Sequence, residues 1–233
     1  MKKILFSMFA IVGLAMATYL SLSMLTACDD DDDDDDLTEI VDDDGDDSET
    51  TGTINGYEYV DLGLSVKWAT VNIGATLPAD YGNYYAWGET ETKDEYTEDN
   101  SVTYGDSSIE DFAGNTSYDA ATANWGSSWR MPTEAECQEL VEDCTWTWST
   151  QNNSDGEDIN GYLVEGTNGN FIFLPAAGYC LGSSPDYDGA RGYYWSSSPE
   201  ASIYAYHLYF YNGNHYVDYH QRYNGRLVRP VSE

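Results

Sequence analysis

Eight consecutive aspartates, Asp29–Asp36, divide the chain into a part that can fold and a part that has no means to. Asp42, Asp43, Asp44, Asp46 and Asp47 follow closely. Like charges at this density repel and keep the backbone extended and hydrated, so residues 28–52 read as a disordered acidic stalk. Ahead of it, Lys2 and Lys3 precede an apolar run, ILFSMFAIVGLAMATYLSLSM, which ends in Leu25-Thr26-Ala27-Cys28. Small residues directly before a cysteine read as a lipoprotein signal peptide, residues 1–27, whose cleavage leaves Cys28 as the lipidated N-terminus. The run also approaches the ~20 residues that span a bilayer, but the chain turns fully polar straight after Cys28, which favours a cleaved signal. A core can therefore form only from residues 53–233, which carry all seven tryptophans and are long enough for one domain.

Charge narrows the partners. The chain has nine Lys and Arg against 42 Asp and Glu, a net charge of -33. A nucleic-acid or anionic-membrane face needs clustered basic residues, and these are scattered, so neither is expected as a partner. Asp42-Asp43-Asp44-Gly45-Asp46 resembles the start of a calcium loop, yet lacks the bidentate Glu and flanking helices of one. Acidic residues just after a lipidated Cys resemble an outer-face export signal of some Gram-negative phyla. The expected location is the outer membrane, lipid-anchored and exposed on the cell surface.

Within residues 53–233 helix signals are sparse. "PTEAECQELVEDC" offers a capping box at Thr133 and Glu136 and an apolar stripe of Ala135, Leu140, Val141 and Cys144. "YDAATANW", residues 118–125, is a shorter helix ending before Gly126. The rest alternates short strands with turn residues. "GYLVEGTNGNFIFLP" reads as a hairpin whose Asn168-Gly169 supplies a type I′ turn, and "YAYHLYFYNGNHYVDYHQRYNG" as a second one around Asn212-Gly213-Asn214. This gives an α+β class, mostly antiparallel short strands with one or two helices. Cys137 and Cys144 lie two helical turns apart, too far to bridge. A pairing of either with Cys180 stays open.

"WRMPTEAECQEL" resembles the W-R-x-P-T-x-x-E helix start of bacterial C-type-lectin-like domains. "GYEYVDLGLSVKWATVNIGA" and "YYWSSS…LYF…RLVRPV" are similar to the same group, in particular the Fibrobacter succinogenes major paralogous domain and related surface lipoproteins. The resemblance implies a C-type-lectin-like fold. Three functions occur in that superfamily. Sulfatase-activating chemistry needs a redox-active cysteine pair near the C-terminus, and no cysteine follows Cys180. Calcium-dependent sugar binding needs EPN or QPD and WND motifs, which are missing. The third, recognition through a C-terminal segment diversified by a retroelement, fits the residues best.

In that pattern Trp195, Leu208, Phe210, Val217, Val228 and Val231 are framework. The ligand-binding display is Tyr204, Tyr206, His207, Tyr209, Tyr211, Asn212, Asn214, His215, Tyr216, Asp218, Tyr219, His220, Tyr223 and Asn224. Tyrosine gives rigid amphipathic contact area, with Asn and Gly as adaptable companions, the composition of antibody binding loops. Tyr, His, Asn and Asp codons also differ only at the first base, the set that adenine mutation of an Asn codon produces. No enzyme, cofactor or metal is expected. His215 and His220 fall on opposite faces of a strand, and Ser196–Ser198 lack a nucleophile elbow. The expected partner is an external protein or glycan. The competing expectation is a fixed-sequence structural or fimbria-associated surface protein without a dedicated ligand.

Overall fold

The computed structural model describes residues 50–233. The signal segment, lipidation site Cys28 and acidic stalk expected from sequence lie, up to residue 49, outside the described residues. The first strand, β1 (Thr51–Ile54), begins two residues ahead of the domain start expected from sequence. It pairs with β2 (Tyr57–Val60) across Asn55-Gly56, both at positive φ (51° and 87°). The type I′ turn is thus found here, in an "NG" that sequence reading passed over. β3 (Lys67–Ala69) and the C-terminal β12 (Val231–Ser232) complete this sheet in the order β1-β2-β3-β12, bringing the two ends of the domain together.

Two helices follow. α1 (Ala120–Trp125) is capped by Asp119, whose carboxylate accepts the amides of Ala121 and Thr122 and also those of Gly114 and Met131. α2 (Glu134–Asp143) carries the expected capping box: Thr133 Oγ1 accepts from the Glu136 amide and Glu136 accepts from the Thr133 amide. Arg130 holds Glu136 with a fork of 2.6 and 2.8 Å and also reaches Glu233. The buried stripe differs from the expected one: Cys137 and Leu140 point inward, while Ala135 is exposed.

β4 (Thr145–Asn152), β5 (Asp158–Glu165) and β6 (Phe171–Pro175) form an antiparallel meander. The hairpin joining β5 to β6 is where sequence placed it, but its loop runs over residues 166–170. Only Gly169 of the Asn168-Gly169 pair takes positive φ, so the turn is not type I′.

The largest sheet has the order β11-β10-β9-β7-β8. It is built from β7 (Ala177–Leu181), β8 (Ser184–Asp188), β9 (Arg191–Ala201), β10 (Tyr204–Tyr211) and β11 (Asn214–Gln221). β9 and β7 meet in parallel at Gly178 and Gly192, and a Cβ on Gly192 would lie 2.0 Å from the Phe210 ring. Only glycine lets that ring seat against the sheet.

Among the described residues strands hold 42% and helices 10%, with a curled half-barrel sheet, so the molecule is closer to all-β than to the α+β class expected. The reason is local. Two short α-helices and one 3-10 turn, Glu98–Asn100, are the helical content among the described residues, whereas Gly-punctuated runs rich in Tyr, Thr, Val and Trp favour strands. One core cluster joins Cys137 and Leu140 of α2 to Trp68, Tyr194, Leu208, Phe210 and Leu227. A second gathers Trp87, Trp125, Trp129, Trp195, Ala205 and Val228. Full burial of each large apolar side chain contributes about 1.5–3 kcal/mol. Among the described residues no helix is long and apolar enough to cross a membrane. Cys137, Cys144 and Cys180 are all free thiols.

Candidate functional site

Strand alternation sorts the C-terminal hairpin into two faces, because directly opposed residues project to the same side. One face carries Leu208 with Val217 and Phe210 with His215. It rests on the core beneath α2 and β4. His215 stacks flat on Trp146 with 4.6 Å between ring centroids, and Tyr162 of β5 accepts from the Gly213 amide at 2.9 Å and donates to the Tyr211 carbonyl at 3.1 Å. The tip of the hairpin is thereby fixed to the meander.

The other face carries Trp195, Tyr193 and Arg191 on β9, paired with His207, Tyr209 and Tyr211 on β10. These in turn face Asp218, Tyr216 and Asn214 on β11. Its lower end, at Trp195 and Ala205, is covered by the second core cluster. Its upper end is not covered. The curl of the sheet, with β7 and β8 at the far edge, leaves a cleft of about 260 Å³. Tyr179, Tyr187, Tyr193, Tyr209 and Tyr216 wall it, His207, Asp218 and His220 lie along one side, and Arg191 and Arg226 complete it.

The rings brace one another. Tyr193 lies 4.8 Å from Tyr209 and 5.0 Å from Tyr179, and Tyr209 lies 5.1 Å from Tyr216, each pair tilted or edge-on. Such contacts favour a fixed wall over a collapsing one. Burial pushes the Tyr209 phenol up to about 12, so it stays a neutral hydroxyl that can donate or accept. Arg191 lies over the Tyr187 ring at 4.1 Å, at the mouth. Arg226 is 1% exposed and forms the floor, with its guanidinium carbon 4.4 Å from the Trp195 ring and 5.1 Å from that of Tyr193. Burial holds the His207 imidazole well below its usual range, and the adjacent Arg226 charge pushes the same way. His220 is lowered for the same two reasons, and its Nδ1 donates to Asn224 Oδ1 at 2.9 Å.

The fourteen residues expected to form the display therefore separate. His207, Tyr209, Tyr216, Asp218 and His220 line the cleft, with Tyr211 next to Tyr209 at the rim. Asn212 and Asn214 are exposed at the turn. Tyr204, Tyr206 and Tyr219 form a small cluster on the opposite face. Tyr223 touches Tyr104, while His215 and Asn224 serve packing and bonding. Sequence reading missed Tyr179, Tyr187, Arg191, Tyr193 and Arg226. Strand parity in "RGYYW" was the one signal, and only for Arg191 and Tyr193, which share a face of β9; nothing local marked Tyr179, Tyr187 or Arg226.

Among the described residues no group of three or more His, Cys, Asp or Glu is placed to hold a metal ion. The cleft offers stacking surface, hydroxyls and cationic donors. No curated protein and no solved structure matches the chain. Residues 141–231, which run from the last turn of α2 to the start of β12 and contain the whole cleft, match a family described as a domain of unknown function, DUF8237.

Proposed function

We propose that this chain is a ligand-recognition protein, held at the outer membrane through lipidated Cys28, that captures an external ligand in the tyrosine-walled cleft of its C-terminal sheet. The observation that carries this reading is the cleft itself. Five phenol rings stand against one another around an open space instead of closing it, and a wall of rigid aromatics with polar tips fits recognition better than core filling. Retroelement diversification, a further part of the reading, would have to spare His207 and Asn224, both 1% exposed.

The test is a panel of immobilised glycans and peptides probed with the full chain. Saturable binding to at least one member, reduced at least tenfold by Tyr187→Ala and Tyr216→Ala with an unchanged melting temperature, is the expected result. Both rings are exposed, at 49% and 37%, so their removal leaves the core intact. Binding insensitive to both variants moves recognition away from the cleft, and no binding across the panel favours the structural surface protein.

A further inference from the structure

Three arginines are buried near the C-terminus, and two are fully employed. Arg222 donates to the carbonyls of Tyr204, Thr103 and Asp106, and Arg229 donates to Asn72 and to the carbonyls of Ala69, Thr70 and Phe173. Arg226 is the exception. Its Nε and Nη1 are buried and have no hydrogen-bond partner. Among the described residues the ion pairs are those of Lys93 with Glu89 and of Arg130 with Glu136 and Glu233, so none neutralises it. The one carboxylate in the cleft, Asp218, accepts instead from the neighbouring Tyr219 amide at 2.9 Å. His207 Nδ1, beside Arg226 in the same lining, is likewise buried without a partner.

A guanidinium is always charged and carries five donors in a flat fork. Ring faces attract its charge but satisfy none of those donors. An unpaired charge of this kind is costly inside a protein, and it lies at the floor of an open cleft. Resting on the ligand-binding reading above, we propose that Arg226 is the anion-binding floor of the cleft and that its ligand is the carboxylate of a single acidic sugar residue. A carboxylate is the planar bidentate match for the fork. The cleft's volume of about 260 Å³ falls just below the range of about 300–1,000 Å³ usual for ligand pockets, sized for one ring and not for an extended chain. Phenol walls give faces for the C–H surface of a pyranose and hydroxyls for its own. The net charge of -33 repels long polyanions, which leaves a lone carboxylate as the acceptable anion.

Calorimetric titration of the full chain with methyl glucuronide, methyl glucoside, a blocked glutamyl peptide and inorganic phosphate tests this. The glucuronide is expected to bind at least tenfold more tightly than the other three. Arg226→Met, which keeps the volume and removes the fork, should abolish that preference while the melting temperature holds or rises. Should Arg226→Met fail to fold, Tyr216→Ala at the wall should weaken glucuronide binding at least tenfold in a protein of native stability. Equal affinity for glucuronide and glucoside, with Tyr216→Ala reducing both, overturns the carboxylate assignment and leaves sugar recognition standing. Tighter binding of the glutamyl peptide or of phosphate overturns the sugar assignment. No binding of either saccharide at millimolar concentration overturns the inference outright, whatever the wider panel shows of ligand capture.

Discussion

Arg229 and Arg226 are three residues apart, each 1% exposed, and their surroundings are opposites. Around Arg229 the fold has converged four acceptors at 2.8–3.0 Å from β3, its following loop and β6, so one side chain ties the first sheet to the meander. Around Arg226 the nearest groups are rings, and two of its nitrogens donate to nothing. Burial lowers both guanidinium pKa values, to about 10 for Arg229 and about 9 for Arg226, and both remain cationic at neutral pH. The difference shows that burial alone does not define the role of a charge. Where acceptors meet it, the charge is a fastening; where an open cleft meets it, it is a binding group, and the fold carries its desolvation as a cost to stability.

The comparison breaks most visibly at Arg229. Arg229→Met leaves Asn72 Oδ1 and three carbonyls without a shared donor in a dry site, and each such loss costs about 1–3 kcal/mol. With ~2–4 °C lost per kcal/mol in a domain of this size, differential scanning calorimetry should show a fall on the order of 10 °C. A drop of only a degree or two would mean that these bonds fasten nothing.

Arg226→Met should move the other way. Replacing an unpaired buried charge by an apolar side chain of similar length is neutral or stabilising, by about 1–4 kcal/mol in systems where it has been done. The expected outcome is a melting temperature unchanged or raised by several degrees, set beside the large fall at Arg229 in the same buffer. A fall of similar size at both positions would erase the distinction and make Arg226 a structural residue.

How much of this was legible in sequence depends on whether a signal is local. Capping by Thr133 and Glu136, the hairpin around Gly213 and the inward positions of Trp195, Leu208 and Phe210 are local patterns, and they stand in the structure. The all-β balance did not emerge, because a single convincing capping box was given the weight of a layer. The cleft did not either. It needs Tyr179 on β7, Tyr187 on β8 and Arg226 beyond β11 brought together by the sheet order, and no spacing along the chain announces that order. Concentrating on the tyrosines of one hairpin also placed Tyr204, Tyr206 and Tyr219 with Tyr209 and Tyr216, although strand parity puts them on the opposite side.

A smaller effect follows from the histidines beside Arg226. His207 is held well below its ordinary value by burial first and by Arg226 and His220 next, and His220 is lowered by burial and Arg226, with Asp218 pulling the other way. A depressed folded-state value means that the unfolded chain binds the proton first. Stability is therefore full above about pH 6.5, the ordinary histidine value, and declines as pH falls from there towards the folded values. Melting curves should be flat between pH 7 and 8 and slope downward below 6.5. In Arg226→Met that slope should be shallower, because one cause of the depression is gone. An identical slope in both proteins would show that the guanidinium does not act on the imidazoles.

The smallest expected change is also the one that decides which face is the recognition surface. Tyr219 is 47% exposed and meets Tyr204 at a tilt at 5.7 Å and Tyr206 edge-on at 6.0 Å, on the side of the hairpin away from the cleft. Its ring shields no core residue, so Tyr219→Ala belongs with surface substitutions, within about 0.5 kcal/mol of the parent and less than ~2 °C in melting temperature. Tyr216 is comparably exposed, at 37%, on the same strand but on the cleft side, where its ring meets Tyr209. Two variants of matched chemistry and matched exposure thus differ only in the face they strip. Ligand capture should survive Tyr219→Ala and fail in Tyr216→Ala. The reverse pattern would move recognition to the Tyr204, Tyr206 and Tyr219 cluster and leave Arg226 facing an unused cavity, since no side chain on that cluster reaches the guanidinium through the sheet.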